Sequence, residues 1–284
     1  MLEETLVWKL EDLGINSFAI EFSPDNSEIH NFSIWMPSNE WNFQDIEELT
    51  SCFKSLAKTF GINLKPPKCK KIEDIDWNII WRKYWESDPI GNSILILPAW
   101  MECPIDFSNR QVVRIDPGCA FGTGSHPTTR LCLESLDREP PENFVIADIG
   151  CGSGILSLTA LCLGAKRVFA VDTDSFAVNS TRNNFLLNNL KKDSLLVFHG
   201  SINTLYSELK LEKVDLLLCN ILLPIIKKLA FDFEKVLKSN GKALLSGILV
   251  EQIPELSDCL NSFGWKVCNS FEKDNWALLE IRRA

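Results

Sequence analysis

The stretch Val145-Ile-Ala-Asp-Ile-Gly-Cys-Gly-Ser-Gly154 sets the architecture of the chain. Residues 145–149 form an apolar run with strand character. Three glycines in GxGxG spacing follow, and 155–163 reads as a helix stopped by Gly164. A strand that turns sharply into a helix needs residues that tolerate positive φ and lack Cβ bulk. Such a turn lets backbone N–H groups and a helix N-terminus approach a ligand closely. The pattern departs from the dinucleotide fingerprint GxGxxG/A, because Ile155 occupies its last position. It is also not a phosphate-binding P-loop, since no Gly-Lys-Ser/Thr follows.

Downstream, strand and helix patterns alternate. Strands are expected at 167–172, 195–199, 214–220 and 242–246, and helices at 175–188, 221–237 and 250–263. Near-continuous apolar strands interleaved with helices indicate a parallel sheet covered on both faces. Two last strands, 266–271 and 276–281, have no helix between them and predict an antiparallel hairpin at one edge. Upstream lies a smaller α+β pattern. Helices are expected at 3–13 and 43–60, strands at 17–22 and 29–36, and a short strand at 62–64 before Pro66-Pro67. In 43–60 the apolar residues recur at helical spacing. A joining helix over 76–85 places Trp77, Trp81 and Trp85 on one face, a stripe suited to packing between domains. Strands at 94–97 and 112–115 lead into the larger region.

The candidate site residues gather around the glycine turn. Asp172 ends the next strand, where an acid in an open α/β sheet accepts hydrogen bonds from ribose hydroxyls. Its alternative use is as a helix cap, which Asp174 would serve equally well. Asn220 ends the strand 214–220, and the carboxyl ends of such strands face the ligand crevice. Residues 116–129, DPGCAFGTGSHPTT, form a Gly-rich, aromatic-bearing segment ahead of a helix. Thr128 and Thr129 fall at the helix start, where hydroxyls cap backbone N–H groups. His126 reads as structural in this position, with a general base as the sharper alternative.

The length of 284 residues suits two domains, and the net charge of −9 favours a basic macromolecular partner over general nucleic-acid binding. The ten cysteines form no CxxC pair and no zinc-spaced cluster, so neither disulfides nor a metal is expected. The longest apolar candidate, 214–226, is shorter than the roughly 20 residues a membrane helix needs. The acidic N-terminus lacks a signal-peptide n-region, and a cytoplasmic location is expected.

Together AFGTGSHPTT, DIGCGSGI, VDTD and the Asn-Ile-Leu of 220–222 resemble the PrmA family, the methyltransferases of ribosomal protein L-eleven. The joining segment DWNIIWRKYW is similar to that family's linker. The resemblance implies a class I S-adenosylmethionine (SAM) methyltransferase domain over 116–284. It also implies a ferredoxin-like substrate-recognition domain over 1–66, with a linker helix and lead-in strands over 67–115; this sequence departs from it in that helix-like sequence begins almost at Met1, so the first strand is short or missing. It implies methylation of the ribosomal protein, free or on the large subunit, at its N-terminal α-amine and lysine ε-amines. SAM contacts are implied at Thr129, Gly150, Asp172 and Asn220, with Gly152 in the same turn. No metal, no membrane, no sequence-specific nucleic acid and a monomeric chain go with this reading. Leu223 stands where the family has a small residue, which bears on access at that edge of the site, and Ser125 stands where Thr is common. Two alternatives stand beside it: a methyltransferase with another protein or small-molecule substrate, and a noncatalytic ribosome-assembly factor.

Overall fold

The computed structural model describes residues 2–23, 26–37, 40–70, 85–116, 124–210 and 212–284. The chain divides into two compact units, Met1–Asp76 and Trp77–Ala284. Trp77, Trp81 and residues 117–123 of the Gly-rich segment lie outside the described residues. Trp85 is half-buried and meets Trp100 edge-on, the ring centroids 5.8 Å apart.

The first unit runs α1 (Leu2–Asp12), β1 (Phe18–Ser23), β2 (Asn26–Ile34) and α2 (Phe43–Thr59). This αββα order is the middle of the ferredoxin-like β-α-β-β-α-β order. Leu6 and Leu10 of α1 and Leu49 and Phe53 of α2 recur one turn apart and close over Phe18, Phe32 and Ile34 of the antiparallel hairpin. Asn42 starts α2 with a reciprocal cap: its Oδ1 accepts from the Gln44 and Asp45 N–H groups, and Asp45 accepts from the Asn42 N–H. The short strand expected at 62–64 is not formed. The Ile62 N–H donates to the Ala57 carbonyl (3.0 Å) and the Gly61 N–H to Lys58 (3.1 Å), a Schellman-type ending of α2. Leu64 then packs into the small core instead of extending the sheet.

The second unit opens with a three-stranded sheet, β3 (Asp88–Ile90), β4 (Ile94–Pro98) and β5 (Gln111–Ile115). Ile90, Ile94, Ile96, Val113 and Ile115 share a core with the helix α3 (Pro127–Arg138). Residues 88–115, expected in the joining segment, are thus packed into this unit. β3 is absent from the sequence reading; it is three residues long and contains Pro89.

The large sheet follows: β6 (Val145–Ile149), α4 (Ile155–Cys162), β7 (Arg167–Asp172), α5 (Ser175–Leu186), β8 (Leu195–His199), α6 (Ile202–Glu208), β9 (Val214–Asn220), α7 (Leu223–Leu229), α8 (Phe233–Val236), β10 (Leu237–Leu249), α9 (Ile253–Ser262), β11 (Trp265–Lys273) and β12 (Trp276–Arg283). Its seven strands lie in the order β11-β12-β10-β9-β6-β7-β8. β10, β9, β6, β7 and β8 are parallel, and the closing hairpin pairs antiparallel along β10, as the sequence predicts. Alternate residues of β6 feed the two faces: Val145, Ala147 and Ile149 face the core shared with α6–α9, and Ile146 the core shared with α3 and α4.

One expectation needs correction here, and one helix is new. The helix expected over 221–237 is interrupted by a 3-10 turn between α7 and α8. β10 already begins at Leu237, with a register shift between Leu237 and Lys242 that absorbs Asn240-Gly241. The helix α6 is an addition. It buries Ile202 and Leu205, and it provides the crossover that parallel strands β8 and β9 require.

The topology places the site. From β6 the chain winds outward through β7 and β8, then returns to β9 on the other side of β6. Ligands of open α/β sheets bind at such a switch, outside the carboxyl ends of the strands. Gly150 follows β6 and Asn220 ends β9, so both lie at this crevice.

Candidate active site

The glycine turn is held from below by β7. The Gly150 and Cys151 N–H groups donate to the Val171 carbonyl at 2.9 and 3.1 Å, and the Gly154 N–H closes the turn on Cys151. Gly150, Gly152 and Gly154 have φ of +75°, +56° and +84°, a region that side-chain-bearing residues rarely occupy. Two of these glycines also answer a close approach. A Cβ on Gly150 would lie 2.4 Å from Ile221 Cγ2, and one on Gly154 would lie 2.9 Å from Thr181 Cγ2. The loop that follows β9 and the helix α5 therefore both rest directly on the turn.

Asp172 is joined to this turn. Its Oδ2 accepts from the Gly152 N–H at 2.9 Å and its Oδ1 from the Asp174 N–H at 3.0 Å. The cap of α5 is Asp174, which accepts from the Phe176 N–H at 2.8 Å. Asp172 is thus left for the crevice, half-buried, with a further acceptor lone pair on each oxygen.

On the other side, Asn220 Nδ2 donates to Thr129 Oγ1 at 3.3 Å, bringing together two of the expected site residues. Thr129 is buried in the first turn of α3. The threonine hydroxyls are not the helix cap, contrary to expectation. His126 takes that role: its Nδ1 accepts from the Thr128 N–H at 3.3 Å and faces Thr128 Oγ1 at 2.8 Å. Its ring stands edge-on to Trp276 at 4.9 Å. Pro127 at N1 leaves few N–H groups to satisfy, which suits a single side-chain cap. His126→Ala is expected to cost about 1 kcal/mol of stability, and His126→Asn to recover most of it, because asparagine caps well. Thermal unfolding checks this; equal losses in the two variants would rule out the capping role.

Beneath the turn lies Asp148, fully buried on β6. Ser157 Oγ donates to its Oδ2 at 2.6 Å, while its Oδ1 has no partner among the described residues. Burial pushes the carboxyl up to about 6, against the pull of the Ser157 hydrogen bonds; the nearby Asp172 charge adds to the rise.

Three further contributors escape a reading of the sequence. Gly247 lies in β10 at a register shift between Ser246 and Ile248. At φ +86° it rests against the Ile221 backbone, beside Asn220. A lone glycine in an apolar strand does signal a bulge or close backbone approach, but not which backbone comes near. Thr181 and Asn184 of α5 bond the turn carbonyls of Gly152 and Ser153. Leu223 does not narrow the site edge, because its side chain is buried in the core with Ile226; Leu222 is the exposed neighbour.

The match to known proteins follows this geometry. Residues 1–284 match the family model described as ribosomal protein L11 methyltransferase (PrmA). The chain belongs to that family. Relatives named ribosomal protein L11 methyltransferase occur in Prochlorococcus marinus (strain MIT 9313) and Parasynechococcus marenigrum (strain WH8102). They are 48% and 46% identical over 282 residues, covering 99% of this chain and 93% and 98% of theirs. The crystal structure of ribosomal protein L11 methylase from Lactobacillus delbrueckii subsp. bulgaricus aligns with a TM-score of 0.63 at 28% identity. That alignment covers 70% of this chain and 99% of that one. The large sheet and its helices are accordingly a class I methyltransferase fold.

Proposed function

We propose that this chain transfers methyl groups from SAM to ribosomal protein L11, on its N-terminal α-amine and lysine ε-amines, in the cytoplasm. The observation that carries this reading is the meeting of two pairs at the switch point. Gly152–Asp172 lies on one side and Thr129–Asn220 on the other, with Ile221 packed on Gly150 between them. Family membership supplies the substrate class.

The residues fit SAM. Asp172 offers acceptor lone pairs to a ribose diol, and the glycines let the cofactor approach the backbone. The buried, half-partnered Asp148 adds negative charge beneath the turn, which favours a ligand carrying ammonium and sulfonium groups. Thr129, Gly150, Gly152, Asp172 and Asn220 would hold it. When bound, SAM supplies an electrophilic methyl group on a sulfonium that is already a good leaving group. The protein's share is then mostly positioning. Asn220, its amide braced by Thr129, orients groups at the crevice. The amine substrate must arrive neutral. That costs about 4.6 kcal/mol at pH 7 for a lysine of pKa ~10.4, but only about 1 kcal/mol for an α-amine near 7.8. A site that takes lysines must therefore desolvate them or work with a low neutral fraction.

The first unit is the proposed reader of the protein substrate. It exposes Trp8, Trp35 and Phe43, large apolar side chains of the kind that mark contact surfaces. The net charge of −9 supports capture of a basic ribosomal protein by long-range attraction. Among the described residues no helix is long and apolar enough to cross a membrane.

Incubation with labelled SAM and ribosomal proteins, followed by site-resolved mass spectrometry, tests the assignment. Label on the amines of L11 is expected; label on carboxylates, glutamine or RNA would overturn the substrate class. Asp172→Ala is expected to weaken SAM binding by about 1–3 kcal/mol, the scale of a lost hydrogen bond to a charged group. Unchanged affinity in titration calorimetry would remove Asp172 from the site.

A further inference from the structure

The face of α5 that meets the glycine turn is buried yet polar. Thr181 and Asn184 stand three residues apart on one side of the helix, and Asn188 follows just past its C-terminal end. Thr181 and Asn184 are buried almost completely. Thr181 Oγ1 donates to the Gly152 carbonyl at 2.9 Å, and Asn184 Nδ2 donates to the Ser153 carbonyl at 2.8 Å. Asn184 Oδ1 accepts from the Asp116 N–H at 2.8 Å. Asn188 clasps Arg114, accepting from its N–H and donating to its carbonyl, both at 2.9 Å. Apolar residues would hold a helix against a turn at lower desolvation cost. Buried amides and hydroxyls that bond backbone fix an orientation as well as a contact.

That orientation matters because a peptide unit is planar and trans. Pinning the carbonyls of Gly152 and Ser153 toward α5 sets the planes of the next two peptides and turns the Ser153 and Gly154 N–H groups away from the helix. Gly154 makes this grip sterically possible, since a Cβ there would overlap Thr181. We propose that Thr181 and Asn184 are positioning residues for the cofactor turn. Asn184 also ties that turn to Asp116, the first residue of the DPGCAFGTGSHPTT segment that ends in Thr129. The inference rests on the SAM reading above and extends it to two residues that need not touch the cofactor.

The test compares two residues of α5 with one just past its end. Thr181→Val keeps the shape and loses the hydroxyl. Asn184→Asp keeps the acceptor for Asp116 and turns a carboxylate toward the Ser153 carbonyl. Each is expected to raise the SAM Kd, and the KM for SAM, about tenfold, the scale of one lost hydrogen bond. Maximal rate at saturating SAM should stay within about threefold. Thr181→Ser restores the hydroxyl and should restore Kd. Asn188→Ala loses the clasp on Arg114 of β5 and the bond to the Asn184 backbone carbonyl, but leaves both side-chain bonds to the turn in place; it should lower the melting temperature but leave Kd within about twofold. Wild-type SAM affinity in Thr181→Val, or an equal loss of affinity in Asn188→Ala, overturns the proposal. If Asn184→Asp does not fold, the Thr181 series decides. If the parent chain binds no SAM in calorimetry, the SAM reading itself falls, and this inference with it.

Discussion

Gly247→Ala is expected to lower methyl transfer by roughly 100-fold, the cost of displacing a positioned group by about 1 Å. The position looks ordinary, near the end of a long strand, but its contacts are with backbone. A Cβ there would lie 2.4 Å from the Ile221 oxygen, 2.8 Å from its carbonyl carbon and 2.9 Å from its nitrogen. No rotamer change relieves such an overlap, so the Ile221 peptide must move. Ile221 is bonded through its N–H to the Ser246 carbonyl at 3.2 Å, and it follows Asn220 directly. Displacing it shifts Asn220 against Thr129 and lifts Ile221 from Gly150. Alanine at φ +86° adds about 1–2 kcal/mol of backbone strain. Gly164→Ala is the matched control. It has φ +96°, but its nearest neighbour is Glu142 Cγ at 3.5 Å, an ordinary contact. Both variants should lose stability through backbone strain, while only Gly247→Ala loses activity. Comparable kcat/KM in the two would show that Ile221 is not held in place by the flatness of Gly247.

The contrast between these glycines shows what was legible in the sequence. Four strands, Val145–Ile149, Arg167–Asp172, Leu195–His199 and Val214–Asn220, run as the apolar pattern predicts, because short apolar runs leave little choice of boundary; three are buried on both faces, and Leu195–His199 at the sheet edge is only partly covered. The strand ends inherit that accuracy, so Gly150, Asp172 and Asn220 reach the crevice where topology puts them. Long-range partners are a different matter. Nothing local to Ser246-Gly247 names Ile221, which lies on another strand's loop. Nothing local marks Thr181 and Asn184 for burial, since Thr and Asn are mostly exposed; it follows from the glycine turn closing over α5. His126 and the two threonines show the same limit at short range. All three are capping residue types or neighbours of them, and only the backbone decides which one caps. In the first unit, Ile62–Leu64 carries strand-forming residues, but the Schellman ending of α2 engages the Ile62 N–H before any strand can pair with it.

Asp148→Asn should make the protein more stable at pH 7–8 and bind SAM more weakly. The ordinary aspartate pKa is near 3.9, and burial, opposed by the Ser157 bonds, holds Asp148 at about 6 when folded. Between those values the folded chain keeps a proton that the unfolded chain has released. Stability therefore falls as pH rises through this window, and the full penalty is present above about pH 6. Two pKa units correspond to about 3 kcal/mol. Asparagine carries no charge and can still accept from Ser157, so the variant should gain up to that amount at pH 8 and almost nothing at pH 4. Affinity should move the other way. The buried charge lies under the turn that Gly152 and Asp172 share, and neutralising it removes an attraction for a cationic ligand. That loss is largest above pH 6, where the parent carboxyl is ionised. A bound cation also lowers the carboxyl's pKa, so SAM binding near pH 6 should release protons from the parent and fewer from the variant. Calorimetry in buffers of different ionisation enthalpy reads that difference, and melting curves from pH 4 to 8 read the stability. If the gap in melting temperature between the two proteins does not grow with pH, Asp148 is an ordinary ionised carboxylate, and its poor partnering does not serve the site.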